Sequence, residues 1–302
     1  MARWLALAPL VFATVACSGF LFSSPRPVPG RITKAVRADA RLAVLWLGHA
    51  TVLIQMDDKV ILTDPFLTNS VGILSVRLHE PGLDPANLPP LDAVVVSHMH
   101  FDHLSLGSLD LIEARTKRLF VPRGGSVYVP NYDFDVRELG AWKSDDAGGV
   151  RVTAVPVKHV GFRYGADRSW MTTSFTGYVF EYHGMTVYFG GDTAYDHRKF
   201  RATAARFPHI DLALVPIAPI HPRGFMEATH VDPPEALRAF RDLGAKTMVP
   251  IHYDTLVNSF DDSGEAQVSL RREMRQRGLS NEQVRILPIG GQTVVIAKAA
   301  KP

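Results

Sequence analysis

The chain has 302 residues, 46% of them hydrophobic and 21% charged, with a net charge of +3. That size and apolar content suit one large domain or two small ones with a packed core. Scattered Arg and Lys with no basic run exclude a nucleic-acid stripe. The single cysteine excludes an intramolecular disulfide.

The first segment stands apart from the rest. Arg3 precedes the apolar run Trp4–Ala13, and small residues surround Cys17, the pattern of a secretory signal. Residues 1–22 therefore read as a lipoprotein signal lipidated at Cys17, a plain cleaved signal, or an uncleaved anchor, since Trp4–Phe22 approaches spanning length. Each of these readings implies export, to the periplasm or to a membrane surface. Residues 23–40, with three prolines between Pro25 and Pro29, read as a linker. The folded body is expected over 41–302.

Within the body, Leu42–Leu47, Thr51–Met56 and Val60–Leu62 alternate like strands of a meander, with Asp57-Asp58 as the turn. The stretch Val71–Val76 reads as an apolar loop, either a lid or a buried plug. Ala93–Val96 is a fully apolar strand, followed by an amphipathic helix over Leu104–Arg115. Strands are expected at Arg118–Val121, Val150–Val155, Phe175–Tyr182, Met185–Phe189, Leu212–Pro216, Thr247–Ile251 and Thr293–Ala297. Helices are expected at Thr193–Arg206, Pro233–Leu243 and Glu265–Arg277. Alternating strands and helices of this kind place helices outside two sheet halves.

The densest chemistry lies in His98-Met99-His100-Phe101-Asp102-His103, directly after the apolar strand. Three imidazoles and a carboxylate at that spacing cannot all point apart, and they are the donors that zinc and similar ions prefer. His159, Asp192 and His252 each follow another apolar strand. Any one of these alone reads as a hydrogen-bonded loop residue. Four such strand ends together read as a metal site, because functional groups gather where strands stop. Arg163, Tyr164, His221 and Arg223 sit on loops near these positions and read as surface groups.

The six-residue cluster matches the HxHxDH signature of the metallo-β-lactamase superfamily, and His159, Asp192 and His252 follow in that superfamily's order. Trp46–Thr51, Leu62–Pro65, Gly191–Tyr195, His230–Pro233 and Ile251–Tyr253 make the chain similar to the branch of N-acylphosphatidylethanolamine-hydrolysing phospholipase D and the ascorbate-6-phosphate lactonases. The resemblance spans about 41–298. It implies an α/β fold, a four-layer αββα sandwich, with two zinc ions or other divalent metals at one edge. It assigns His98, His100 and His159 to the first ion and Asp102, His103 and His252 to the second, with Asp192 bridging. It makes Asp192, Asp102 and His230 the catalytic candidates, with His230 touching substrate. Asp64 and His49 are read as supporting groups that hold ligand histidines. The implied activity is hydrolysis of a lipid phosphodiester, with a lactonase or other ester hydrolase as the alternative and a non-catalytic metal-binding envelope lipoprotein as a different class. The chain departs from the phospholipase pattern after His159, where Val160–Tyr164 follow, and after His252, where Tyr253-Asp254 follow. These departures spare the metals and alter the lipid pocket. The expected partner is a small-molecule or lipid substrate, with a membrane surface and no nucleic acid; the oligomeric state is left open.

Overall fold

The computed structural model describes residues 24–71, 75–164 and 174–299. The signal segment with Cys17, and residues 72–74 of the apolar loop, lie outside the described residues. Among the described residues no helix is long and apolar enough to cross a membrane.

Two sheets form the centre. The first contains β1 (Ala40–Gly48), β2 (Thr51–Met56), β3 (Lys59–Thr63), β6 (Ala93–Val95), β7 (Arg118–Pro122), β8 (Asp135–Leu139) and β15 (Gln292–Ala297), in the order β15-β1-β2-β3-β6-β7-β8. The second contains β9 (Ser144–Ala147), β10 (Val150–Val155), β11 (Gly177–Tyr182), β12 (Met185–Phe189), β13 (Leu212–Pro216) and β14 (Thr247–Ile251), in the order β14-β13-β12-β11-β10-β9. A short ribbon pairs β4 (Ser70–Val71) with β5 (Ser75–Val76). The helices are α1 (Leu106–Ile112), α2 (His197–Arg206), α3 (Arg223–Met226), α4 (Pro233–Leu243) and α5 (Glu265–Gln276).

Strand alternation explains the layering. Leu42, Val44 and Trp46 of β1 pack into the core between the sheets with Val152, Phe180 and Val187. Leu45 and Leu47 turn the other way and join Leu109 and Ile112 of α1. Phe200, Leu237, Phe240 and Leu270 of α2, α4 and α5 pack with the second sheet. Both sheets thus bury two faces, which is why their strands read as continuous apolar runs. The αββα sandwich expected from the sequence is the observed fold.

Several boundaries differ. Helix α2 starts at His197, because Asp196 caps it by accepting from the Arg198 and Lys199 amides. Thr193 and Ala194 instead bind the β10 end: the Lys158 amide donates to Thr193 Oγ1 at 3.1 Å and the Ala194 amide to Lys158 O at 2.7 Å. Helix α1 starts at Leu106, after Ser105. The segment expected as a linker is bound to the body over its described part. The Arg26 amide donates to Leu78 O, Ala35 is buried, and Gln55 exchanges hydrogen bonds with the Arg37 backbone.

Candidate metal centre

The carboxyl ends of β3, β6, β10, β12 and β14, with the β1–β2 turn, meet at one edge. They deliver Asp64, His98–His103, His159, Asp192, His252 and His49 respectively. Close approach of the two sheets there depends on glycine. Gly191 has φ +55°, and a Cβ at that position would lie 2.3 Å from Ser97 Cβ. Across the same seam, the Thr176 amide donates to Ser97 O at 2.8 Å and the Tyr178 hydroxyl to Val96 O at 2.9 Å.

All seven expected ligands converge. His98, His100 and His159 form one group with donor atoms within 4.8 Å of one another. Asp102, His103 and His252 form a second, joined by His49. Asp192 lies between them. Its Oδ2 is 3.9 Å from both His98 Nε2 and His159 Nε2 and 3.3 Å from His103 Nε2, while its Oδ1 is 3.1 Å from His252 Nε2.

Supporting bonds set which ring nitrogens carry protons. Asp64 is fully buried; its Oδ1 accepts from the Ser97 amide, and its Oδ2 from both Ser97 Oγ and His103 Nδ1, each at 2.6 Å. Ser97 Oγ, having donated to Asp64, accepts from His98 Nδ1 at 2.9 Å. His159 Nδ1 donates to Thr229 O at 2.9 Å. Nε2 is therefore the nitrogen that His98, His103 and His159 turn toward the cluster. Ser97 was missed at the sequence level. Its only signal is a hydroxyl directly before the first histidine.

Electrostatics follow from burial and crowding. Burial pushes His98, His100 and His159 below their ordinary range, and His49 down to about 3. They are neutral, as ligands must be. Burial also opposes charge on His103, but Asp192, Asp102 and Asp64 outweigh it and hold this ring well above its ordinary value. Asp192 lies well below the carboxylate range: burial works against its charge, and His252 and His103 overcome that. His100 Nε2, His159 Nε2, both ring nitrogens of His252 and Asp192 Oδ1 are buried without a hydrogen-bond partner. A buried polar atom left unpaired costs about 1–3 kcal/mol. Divalent cations would satisfy most of this set at once, so the donor set fits two such ions.

His230 lies beside Asp192. Its Nε2 is 3.1 Å from Asp192 Oδ2, and its Nδ1 is 2.9 Å from Thr229 Oγ1. Its side chain is 15% exposed against 3% for Asp192, so it stands at the mouth. Arg223 is not a free surface group: Nη1 donates to His230 O at 2.9 Å, and the same guanidinium pairs with Glu235 and Asp232. Asp232 caps α4 by accepting from the Glu235 amide. Arg163 is likewise corrected from surface to buried, with Nη1 donating to Met99 O and Leu104 O and so bracing the ligand loop. Tyr164 is exposed, and His221 pairs with Glu265 at 2.9 Å. A cavity of 210 Å³ opens beside His49 and His252, walled in part by Leu78, Leu256 and Val257.

A two-sheet sandwich with an HxHxDH loop, answered by His159, Asp192 and His252 at other strand ends, defines a metallo-β-lactamase fold. The chain belongs to the β-lactamase superfamily domain family, whose model matches residues 59–253. It is 33% identical over 241 residues to an uncharacterized Mycobacterium tuberculosis protein, covering 76% of this chain and 63% of that one. It is 31% identical to a metal-dependent hydrolase of Pelotomaculum thermopropionicum, covering 71% of this chain and 85% of that one. It is 29% identical to N-acyl-phosphatidylethanolamine-hydrolyzing phospholipase D 1 of Caenorhabditis elegans, covering 78% and 70%. Among solved structures, Igni18, a metallo hydrolase from Ignicoccus hospitalis, shares the fold with a TM-score of 0.64 at 20% identity, over 86% of this chain and 99% of that one. The chain is a member of this superfamily and is similar to relatives named as metal-dependent hydrolases.

Proposed function

We propose that the chain is a binuclear zinc hydrolase that cleaves a phosphodiester of N-acylphosphatidylethanolamine-type lipids. The observation that carries this reading is the convergence of two buried donor groups on Asp192, with His230 beside it at the mouth. His98, His100 and His159 would hold one cation and Asp102, His103 and His252 the other, with Asp192 shared between them. Such a pair supplies Lewis acidity toward a phosphoryl oxygen and lowers the pKa of water.

The chain's own residues then do the orienting. Asp64 and Ser97 keep the His98 and His103 lone pairs inward. Thr229 holds both His159 and His230. Hydrolysis forms an oxygen–phosphorus bond from water and breaks the bond to the departing alcohol, which needs a proton. His230 stands where it can deliver that proton. The likeness to the nematode phospholipase supports a lipid substrate, as do the exposed Phe225 and Phe260, whose segments meet where the Phe260 amide donates to His221 O. Export through the N-terminal segment, to the periplasm or a membrane surface, belongs to the same reading.

The test is a release assay with zinc-loaded full-length protein. It measures phosphatidic acid and N-acylethanolamine from N-acylphosphatidylethanolamine vesicles, beside a panel of acyl and sugar lactones. Release of both lipid products is the expected result. Turnover of lactones alone would transfer the reading to a lactonase, and no turnover with two ions bound would favour a metal-binding protein without catalysis.

A further inference from the structure

We propose that His49 is a direct protein ligand of the second cation position, beside Asp102, His103 and His252, so that the two positions differ in their number of protein donors. This inference rests on the binuclear reading above and goes beyond its ligand set.

The geometry separates His49 from a merely supporting group. Its Nε2 lies 3.0 Å from Asp102 Oδ2 and 3.2 Å from His103 Nε2. The donor atoms of His49, Asp102, His103 and His252 all fall within 4.8 Å of one another. His103 Nδ1 donates to Asp64, which leaves Nε2 as the nitrogen that faces His49 Nε2. Two imidazole nitrogens and a carboxylate oxygen facing one another at such distances surround a point that a cation would share. Asp64, the other supporting candidate, is different: its oxygens already accept three hydrogen bonds from Ser97 and His103.

The backbone is built to hold His49 there. It has φ +54°, a left-handed conformation that costs a non-glycine residue about 1–3 kcal/mol and persists only where surroundings enforce it. The enforcing bonds are present. The His49 amide donates to Thr255 Oγ1 at 2.6 Å, and its carbonyl accepts from Trp46 Nε1 at 2.8 Å and the His252 amide at 2.9 Å. His252 is also left-handed, at φ +65°. The two strained residues are thus tied backbone to backbone, with ring centroids 4.0 Å apart. Buried Arg77 closes the other side by donating to Leu47 O at 3.0 Å.

The consequence is asymmetry. With Asp192 shared, the second position would draw on five protein donors, from His49, Asp102, His103, His252 and Asp192, and the first on four, from His98, His100, His159 and Asp192. Fewer protein donors leave more of a cation's coordination for water or substrate, and His230 lies beside Asp192 and His159 on that first side.

The test uses full-length protein loaded with cobalt(II), read by chelator competition and visible absorption. His49→Gln keeps a side chain able to donate to Asp102 but removes the imidazole ligand; His49→Glu restores an anionic ligand of similar reach. The expected result for H49Q is one cation held as in the wild type and the other weakened more than about 100-fold, beyond the 10–100-fold that loss of a supporting bond brings. The cobalt spectrum changes with it, and H49E recovers two ions. Should H49Q fail to fold, H49E decides alone: two ions with an altered spectrum support ligation, and one ion overturns it. H49Q holding both ions with an unchanged spectrum overturns the inference and leaves the binuclear reading intact. Wild-type protein that takes up no cation overturns both.

Discussion

Replacing Asp64 with Asn tests the link between one buried carboxylate and the ligand tautomers. Asn tolerates the left-handed region better than most residues, so the φ of +33° at this position is not the variable. The substitution keeps one oxygen for the Ser97 amide and turns the other into an NH₂ group. That group now faces Ser97 Oγ and His103 Nδ1, which donate to Oδ2 in the native protein. Both can adapt by reversing roles. Ser97 would accept, ceasing to fix His98, and His103 would move its proton to Nε2, pointing it into the second cation position. Exchanging charge-assisted hydrogen bonds for neutral ones lowers the stability of the metal-free protein by about 1–2 kcal/mol. Metal affinity is expected to fall about 10–100-fold, because the ring must first return to the other tautomer. Urea denaturation of the metal-free protein gives the first number and chelator competition the second. Wild-type affinity for both ions in D64N would refute the tautomer argument. A loss of stability large enough to unfold the chain would show that Asp64 holds the sheet seam rather than the ligands.

Asp192→Ala is expected to abolish turnover and lower the metal content at both positions while leaving the circular dichroism of the sheets unchanged; two tightly held ions in that variant would contradict the bridging position. His230→Ala should lower turnover by about 10²–10⁴-fold, the range for a general acid, with two ions per chain still measured by plasma mass spectrometry. Loss of an ion instead would make His230 a ligand. The pH dependence of the metal-free protein follows from the buried rings. His49, His98, His100 and His159 are all held below their ordinary 6.5, so the unfolded chain binds more protons than the folded one as the pH falls. Their contribution is complete above 6.5 and is lost as the pH falls toward the folded values. His103 has the opposite sign, being raised. Four rings against one predict a urea midpoint lower at pH 5.5 than at 7.5, and an equal or higher midpoint would refute the assignment of neutral rings.

The apolar strands were legible because both faces of each sheet are covered. β1, β2, β10, β12, β13 and β14 needed no partner information to be recognised. Strands β8 (DVREL) and β9 (SDDA) were not, since each lies at the edge of its sheet and carries charge outward. Edge strands use such charge to discourage further pairing, and this erases the periodic signal. The ligand set was legible from the HxHxDH spacing and from three strand ends. Of the groups that fix its tautomers, Asp64 was legible from its place after a strand, whereas Ser97 and Thr229 were not, because a hydroxyl or backbone carbonyl that meets a histidine ring has no spacing of its own. Arg163 misled for a related reason. A buried arginine that donates to backbone carbonyls looks, in sequence, like any solvated arginine.

The position of the ligands across the seam bears on what the metals are for. His98, His100, Asp102 and His103 follow a strand of the first sheet, while His159, Asp192 and His252 follow strands of the second. Each cation would therefore be held from both sheets, and its binding energy would add to their cohesion. In small zinc domains that arrangement makes the metal a condition of folding. Here other contacts also close the seam. Ser97 O and Val96 O accept from Thr176 and Tyr178 of the opposite side, and a continuous apolar core lies between the sheets. The sheets thus have contacts of their own across the seam. What they cannot supply alone is a partner for the buried nitrogens of His100, His159 and His252 and for one oxygen of Asp192. Costly atoms gathered at one edge of the core mark a place shaped for chemistry rather than for stability.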